Sequence, residues 1–249
     1  KLEMKVYCNL TREQAALYEA VVSDMLGQVN SAGGIQRRGL ILATLVKLKQ
    51  VCNHPVHFLA DDTSLPERSG KCNRIAEMLE EVVAEGHRAL IFTQFKVMGS
   101  LLLKLLEPLL NCSILFLHGG TKQKERDALV ERFQSGDPKT PILMLSLKAG
   151  GVGLNLTSAN HVFHFDRWWN PAVEDQATDR AHRIGQEKQV LVHKLVCIGT
   201  LEERIDQLME RKRNLADRII GGGEEWLTEL STDALRELIT LSKEAVSED

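Results

Sequence analysis

Short apolar runs alternate with helical patterns through most of the chain. Segments with a helical period lie at about 72–86, 97–110, 122–135, 171–183 and 201–220. The apolar runs between and around them are Arg88–Phe92, Ser113–Leu117, Pro141–Ser146, His161–Phe165 and Val190–Val196. Because short strands that alternate with helices pair in parallel, this pattern predicts an α/β fold. We expect a parallel sheet buried by helices on both faces, with right-handed crossovers.

Helical patterns without intervening strands flank this α/β region. Residues 10–30 and 36–52 follow a helical period, with Thr11 as the N-cap of the first helix. Residues 60–70 are mostly polar and predict a surface loop, and a last amphipathic helix is predicted at roughly 232–242. We therefore predict an N-terminal helical region at 1–69, an α/β domain at 70–199 and C-terminal helices at 200–249.

Polar and glycine-rich segments follow four of the predicted strands. They are Thr93-Gln94-Phe95, His118-Gly119-Gly120, Ser146 to Gly153, and Asp166 to Asn170. Ligands of parallel α/β folds gather beyond the carboxyl ends of the strands, so we expect the functional site at this edge.

The segment Asp175–Gln186 carries two arginines, Arg180 and Arg183. At a spacing of three residues they project from one face of a helix. Two planar guanidiniums aimed together match the oxygens of a polyphosphate. The plain alternative is an exposed amphipathic helix whose arginines are incidental.

These segments, in this order, resemble the motifs of helicase superfamily two ATPases in the form used by Swi/Snf-family DNA translocases. Asp175–Gln186 resembles motif VI, Ser146–Leu156 resembles motif V, and Phe92–Phe95 resembles motif IV. Leu117–Thr121 and Trp169-Asn170-Pro171 resemble two further blocks of that family. The resemblance covers nearly residues 2–218. It implies a RecA-like C-terminal lobe, preceded by a helical protrusion and followed by bracing helices.

The resemblance also implies roles for particular residues. Arg180 and Arg183 would be catalytic, as arginine fingers on the phosphates of ATP. The residues expected to approach the nucleotide are Gly151, Gly153, Asn155 and Gln176. The residues expected to face DNA are Thr93, Gln94, His118, Gly119, Ser146, Lys148 and Trp169. Trp168 is assigned to core packing, and no residue is predicted to bind a metal.

The sequence contains no GxxxxGK[ST] motif and no Asp-Glu pair after a strand. Ser69-Gly70-Lys71 ends like such a motif, but position 65 is Leu where the pattern needs Gly. In the family that the chain resembles, both motifs belong to the first lobe. The resemblance therefore implies that another lobe provides the phosphate cradle and the Mg²⁺ ligands, and we expect ATP and Mg²⁺ to be bound mainly there.

The amino-acid composition excludes few classes of function. The formal net charge of −3 provides no overall basic field, so any contact with DNA must come from a local cluster. The five cysteines include no CxxC pair, which favours a reducing compartment and no disulfide framework. Cys52, His54 and His57 are interpreted as structural. No apolar run is long enough to span a membrane, and the first residue, Lys1, predicts a piece of a longer chain.

The resemblance leads us to expect the second lobe of an ATP-dependent double-stranded DNA translocase, inactive as an ATPase by itself. Its expected partners are duplex DNA and the first RecA-like lobe of the same full-length chain, with no membrane and an unidentified nucleoprotein target. Location would be cytoplasmic and nucleoid-associated in a prokaryote, or nuclear in a eukaryote. Two alternatives stay open: a catalytically silent binding or scaffolding module, and a lobe of an RNA- or DNA-unwinding helicase.

Overall fold

The structure is a computed structural model that describes residues 1–61, 63–146, 154–183, 186, 188–213 and 225–246. Its described residues form one six-stranded sheet in the order β1-β6-β5-β2-β4-β3. The strands are β1 (Leu2–Cys8), β2 (Ala89–Thr93), β3 (Ile114–Leu117), β4 (Ile142–Ser146), β5 (His161–His164) and β6 (Leu191–Cys197). The pairs β6–β5, β5–β2, β2–β4 and β4–β3 are parallel, which confirms the predicted α/β architecture.

Helices precede, connect and follow these strands. Their bounds are α1 (Arg12–Val29), α2 (Gly34–Asn53), α3 (Pro55–Leu59), α4 (Gly70–Ala84), α5 (Lys96–Leu110), α6 (Gln123–Gln134), α7 (Pro171–Thr178), α8 (Leu201–Arg213) and α9 (Thr232–Ile239). Short 3-10 helices lie at Glu225–Glu229 and Lys243–Ala245. No helix in the described part of the chain is both long enough and apolar enough to cross a membrane.

The chain divides into two compact units. The first contains Lys1–Val6, Cys72–Trp168 and Ala172–Leu195, and the second contains Tyr7–Lys71, Trp169–Pro171 and Val196–Asp249. In the first unit the central strands β2 and β4 are buried along their whole length, as expected for strands covered on both faces. Helix α5 packs closely against β3 at Gly99. A Cβ atom at this position would stand 2.3 Å from the ring of Phe116, so the absence of a side chain permits the approach.

The core of the second unit is built from helices. Apolar side chains of α1, α2, α8 and α9 pack together there, including Tyr18, Leu45, Ile205 and Leu235. Thr11 begins α1 as predicted: its hydroxyl accepts a hydrogen bond from Gln14 N, and the Gln14 side chain accepts one from Thr11 N.

Ser69-Gly70-Lys71 has a structural role in the second unit. The Ser69 hydroxyl donates to Asn53 O at 2.6 Å, and a Cβ on Gly70 would stand 1.8 Å from Asn9 O. The Lys71 ammonium is fully buried and contacts Glu202 Oε1 at 2.7 Å and Asn53 Oδ1 at 3.2 Å. Burial acts to lower the pKa of Lys71, but the Glu202 carboxylate raises it, and the net shift is upward.

One cluster of metal-ligand atoms lies beside this lysine. Cys52, Cys197 and Glu202 place ligand atoms within 4.8 Å of one another, the only such group among the described residues. The sequence analysis did not anticipate this grouping, because Cys52 and Cys197 are distant in sequence. The Lys71 ammonium already supplies the cation for Glu202, so the cluster does not fit a metal centre. His54 is structural as interpreted: its Nδ1 accepts from Val56 N.

Two predictions about the elements need correction. Strand β1 was not predicted, although the alternation of Leu2, Met4, Val6 and Cys8 with mostly polar residues is typical of a half-buried strand. The helix predicted at 171–183 ends at Thr178, and the chain continues as turns and bends. The predicted helix at 201–220 is found from Leu201 to Arg213, and positions 214–220 lie outside the described residues.

Candidate functional site

The polar segments meet at the carboxyl edge of the sheet in the first unit. Thr93, which ends β2, is paired in register with Ser146, which ends β4. Strands β3 and β5 lie on either side of this pair, so the segments after all four strands share one edge. The carboxyl ends of β5, β2, β4 and β3 therefore lie side by side at the edge where the sequence analysis placed the site.

The Asp166 carboxylate accepts two hydrogen bonds from the segment after β2. The Thr93 hydroxyl donates to Asp166 Oδ2 at 2.5 Å, and Gln94 N donates to Asp166 Oδ1 at 2.7 Å. Thr93 is fully buried, so its side chain cannot face DNA as predicted. Its hydroxyl has a structural task, whereas Gln94 is half-buried and stays a candidate contact.

The segment after β3 forms a compact turn. His118 N donates to the Thr121 hydroxyl at 3.0 Å, Thr121 N donates to His118 O at 2.9 Å, and Gly120 N donates to His118 Nδ1 at 3.0 Å. Partial burial, followed by the charge of Lys96, lowers the pKa of His118. The hydrogen bond from Gly120 N makes Nδ1 of this ring an acceptor, and Gly119 beside it is exposed.

Lys96 is a candidate residue that the sequence analysis missed. It is exposed at the first position of α5, and its Nζ lies 4.0 Å from the place of a Cβ on Gly120. Lys122 and Lys124 are exposed after the same turn. These three lysines, which we call the edge lysines, form a local basic group. Lys96 directly follows Thr93-Gln94-Phe95, and this position in the sequence could have identified it as a candidate DNA contact.

The segment after β4 is described only at its ends. Ser146 is 5% exposed, so its side chain offers little surface to DNA. Asn155 is exposed, as a residue that approaches a nucleotide requires. Lys148, Gly151 and Gly153 lie outside the described residues, and their predicted roles stay predictions.

Helix α7, which precedes the two arginines, is held by side-chain contacts at Glu174 and Thr178. Arg167 forms a two-pronged ion pair with Glu174, with Nε–Oε1 at 2.7 Å and NH2–Oε2 at 3.1 Å. Burial acts to raise the pKa of Glu174, but the Arg167 guanidinium outweighs it and the net shift is downward. Near the end of α7, the Thr178 hydroxyl and His164 Nε2 are 2.9 Å apart.

Arg180 and Arg183 follow this fixed helix on a turn, not on a continuous helix face as predicted. Arg180 N donates to Ala177 O at 3.2 Å, and Arg180 O accepts from Leu156 N at 2.9 Å. Arg180 is 5% exposed and Arg183 is exposed. Burial, followed by the charge of Arg183, lowers the pKa of Arg180. The Asp179 carboxylate acts on the pKa of Arg180 in the opposite direction.

The two glutamines of this region behave differently. Gln176, predicted to approach the nucleotide, is exposed on α7. The Gln186 side chain instead binds the protein, because its Nε2 donates to the carbonyls of Thr157, Ala159 and Ala181 at 2.9, 2.8 and 3.2 Å. These hydrogen bonds fix the position of Gln186, three residues after Arg183. The sequence analysis did not predict this structural role.

Trp169 is the more deeply buried of the two tryptophans, contrary to the expectation that it faces DNA. Trp169, predicted to face DNA, is 3% exposed and belongs to the core of the second unit. The Lys49 ammonium lies 3.6 Å from the centre of one of its rings, a cation–π contact. Trp168, assigned to the core, is only partly buried. The sequence does not reveal which of two consecutive tryptophans is the more deeply buried.

Comparison with known sequences identifies relatives of the whole chain. A family model described as the helicase conserved C-terminal domain matches residues 70–185. The Bacillus subtilis protein YwqA, named as an ATP-dependent helicase or translocase, is 50% identical over 247 residues, which are 98% of this chain and 26% of that protein. A human SWI/SNF-related regulator of chromatin, subfamily A member 1, is 36% identical over 90% of this chain and 22% of its own length. The chain thus spans about a quarter of these relatives.

Solved structures give the same picture. The C-terminal domain of the Sulfolobus solfataricus SWI2/SNF2 ATPase is 48% identical with a TM-score of 0.84, over 97% of this chain and 99% of that domain. The core of that ATPase in complex with double-stranded DNA is 51% identical with a TM-score of 0.88, over 97% of this chain and 50% of that core.

Proposed function

The chain belongs to the SWI2/SNF2 ATPase family as its C-terminal domain, and from this membership we propose that it is the second RecA-like lobe of an ATP-dependent duplex-DNA translocase. In the full-length protein, ATP lies between this lobe and a first lobe. Repeated closing and reopening of the two lobes shifts their grip on the duplex. Strand separation is not part of this proposal.

The placement of Arg180 and Arg183 carries the proposal. They follow a helix in which Glu174 pairs with Arg167 and Thr178 contacts His164, so the main chain from which the two side chains extend is held in place. Arginine forks that approach the γ-phosphate from across a cleft stabilise the charge that develops during hydrolysis. Arg180 and Arg183 are the groups of this chain that would perform this task.

The other half of the ATP site is assigned to the first lobe. Asp166 and Glu174, two buried carboxylates at this edge, are occupied by Thr93, Gln94 and Arg167 rather than directed at a cation site. We therefore assign Mg²⁺ and the phosphate cradle to the first lobe, and the chain alone has no turnover.

The edge lysines, Gln94 and the His118–Gly119 turn form the proposed DNA track. Lysine ammoniums bind phosphates without regard to base sequence, and the exposed Gly119 permits close approach of the backbone. Since the net charge of the chain is −3, this local group must provide the attraction.

Duplex binding by the chain is therefore expected to be weak and steeply dependent on salt. Each phosphate contact contributes about −0.9 to the slope of log affinity against log salt concentration. Replacing Lys96 by Gln should reduce the magnitude of that slope by about one, as the loss of one phosphate contact requires. Titrations of a labelled duplex at several salt concentrations measure both quantities.

Lys104→Gln is the matched control, because Lys104 is also exposed on α5 but lies two turns further along the helix. It should leave the slope unchanged. Competition by single-stranded DNA and RNA of equal length tests the preference for duplex. Tight binding that ignores salt, or a stronger preference for RNA, would overturn the proposed DNA track.

A further inference from the structure

Two adjacent residues after β5, Asp166 and Arg167, contact opposite parts of the site. Asp166 is fully buried and uses both carboxylate oxygens on the segment after β2, at 2.5 Å from Thr93 Oγ1 and 2.7 Å from Gln94 N. The Gln94 side chain returns the contact, with Nε2 donating to Arg167 O at 2.6 Å. Two hydrogen bonds thus join Gln94, the proposed DNA contact, to this dipeptide, and a third joins the neighbouring Thr93 to it.

The Arg167 side chain binds the helix that carries the arginines. Its guanidinium is 6% exposed and pairs with Glu174, whose side chain is fully buried in α7. Lys194 Nζ on β6 lies 3.6 Å from Glu174 Oε2 and 2.8 Å from Glu3 Oε2 on β1. The pair is therefore one part of a chain of alternating charges that secures α7 to the sheet.

The hydrogen bonds and the ion pair connect Gln94 to Glu174 on α7 through Asp166 and Arg167, and they restrict relative movement of these residues. Charged hydrogen bonds are short and directional, and a two-pronged guanidinium–carboxylate pair fixes orientation as well as distance. A shift of Gln94 would therefore displace the main chain of Asp166 and Arg167, and with it the Arg167 guanidinium. Glu174 lies only six positions before Arg180, and the intervening residue Thr178 is tied to His164.

We infer that Asp166 and Arg167 are positioning residues that couple DNA contact at Gln94 to the placement of Arg180 and Arg183. This inference rests on the proposed function. Engagement of DNA stabilises one position of the segment after β2, and the dipeptide passes this preference to α7. ATP hydrolysis is then fastest when DNA is bound.

The test uses the full-length protein and compares ATP turnover with saturating duplex to turnover without DNA. Asp166→Asn keeps the shape of the side chain but places an amide against a hydroxyl or an N–H donor. We expect the ratio of stimulated to unstimulated turnover to fall about 5- to 150-fold, the usual range of coupling between two sites. Glu174→Gln, which weakens the Arg167 pair, should lower the same ratio. The double variant should lose about as much as either single variant, because both interrupt one connection.

Asp137→Asn is the matched control. The Asp137 side chain also accepts from a backbone N–H and a threonine hydroxyl, those of Lys139 and Thr140, but on the turn before β4 at the opposite edge. It should keep the wild-type ratio. If Asp166→Asn does not fold, Thr93→Val and Thr93→Ser replace it: the valine variant should lower the ratio and the serine variant should keep it.

A purely structural role predicts a different result. Stimulated and unstimulated turnover would fall by the same factor, the melting temperature would drop, and the ratio would stay constant. That result overturns the coupling. Arg180→Ala is measured in parallel: if it abolishes turnover while Asp166→Asn and Thr93→Val keep the ratio, only the coupling fails. If Arg180→Ala keeps turnover, the proposed function itself fails.

Discussion

Replacing Arg180 by alanine in the full-length protein is expected to lower DNA-stimulated ATP turnover by roughly 10³- to 10⁵-fold, the contribution of an arginine finger. Arg183→Ala should cause a loss of the same order. Arg180→Lys should restore little, because an ammonium cannot reproduce the planar, two-pronged fork. The measurement is phosphate release with duplex DNA, accompanied by a thermal melt of each variant.

The exposures of the two arginines make the melts informative. Arg183 is exposed, so its loss should change the free energy of unfolding by less than about 0.5 kcal/mol. Arg180 is 5% exposed, and its loss should cost somewhat more. Arg132→Ala is the control, since the Arg132 side chain is 53% exposed. An early melt for one arginine variant together with wild-type turnover for the other would refute the assignment of both as fingers.

Lys71→Met is expected to destabilise the protein by about 3–5 kcal/mol. Removing one partner of a buried ion pair leaves the other charge without compensation, and Glu202 is 1% exposed. In a chain of this size that loss lowers the melting temperature by very roughly 6–20 °C. Chemical denaturation of the chain measures the change directly.

An exposed ion pair provides the comparison for this prediction. The side chains of Arg74 and Glu77 are 49% and 63% exposed, so Arg74→Met should cost about 0–1 kcal/mol. Lys71→Met combined with Glu202→Leu should recover part of the loss, because no unpaired charge remains. If Lys71→Met were no more costly than Arg74→Met, the ion pair would not stabilise the second unit.

The sequence predicted most of the sheet because its central strands are continuous apolar runs. All five predicted strands are found within one residue at each end. Strand β1 was missed although its alternation of apolar and mostly polar residues is itself typical of a half-buried strand. One of its polar residues, Glu3, pairs with Lys194 far along the chain. Such long-range pairs leave no local pattern in a sequence.

The site was predicted at the level of segments rather than side chains. The motifs identified the edge of the sheet at which the polar segments lie, but Thr93 points inward because a carboxylate 73 positions away accepts its hydroxyl hydrogen bond. Trp169 is buried against Lys49 and the helical core, but the sequence does not tell which of two consecutive tryptophans is the more buried. The end of α7 before the arginines likewise depends on tertiary contacts such as that of Thr178 with His164.

The most direct test of the account is ATP turnover by the 249-residue chain alone, with saturating ATP, Mg²⁺ and duplex DNA. The comparable Sulfolobus domain has been solved as a separate domain, so a folded product is expected and a thermal melt verifies it. We predict a cooperative melt, no measurable turnover, and turnover only in the full-length protein with Arg180 and Arg183 intact. Turnover by the chain alone at about 1 per second or more, a typical enzyme rate, would contradict the division of the ATP site between two lobes.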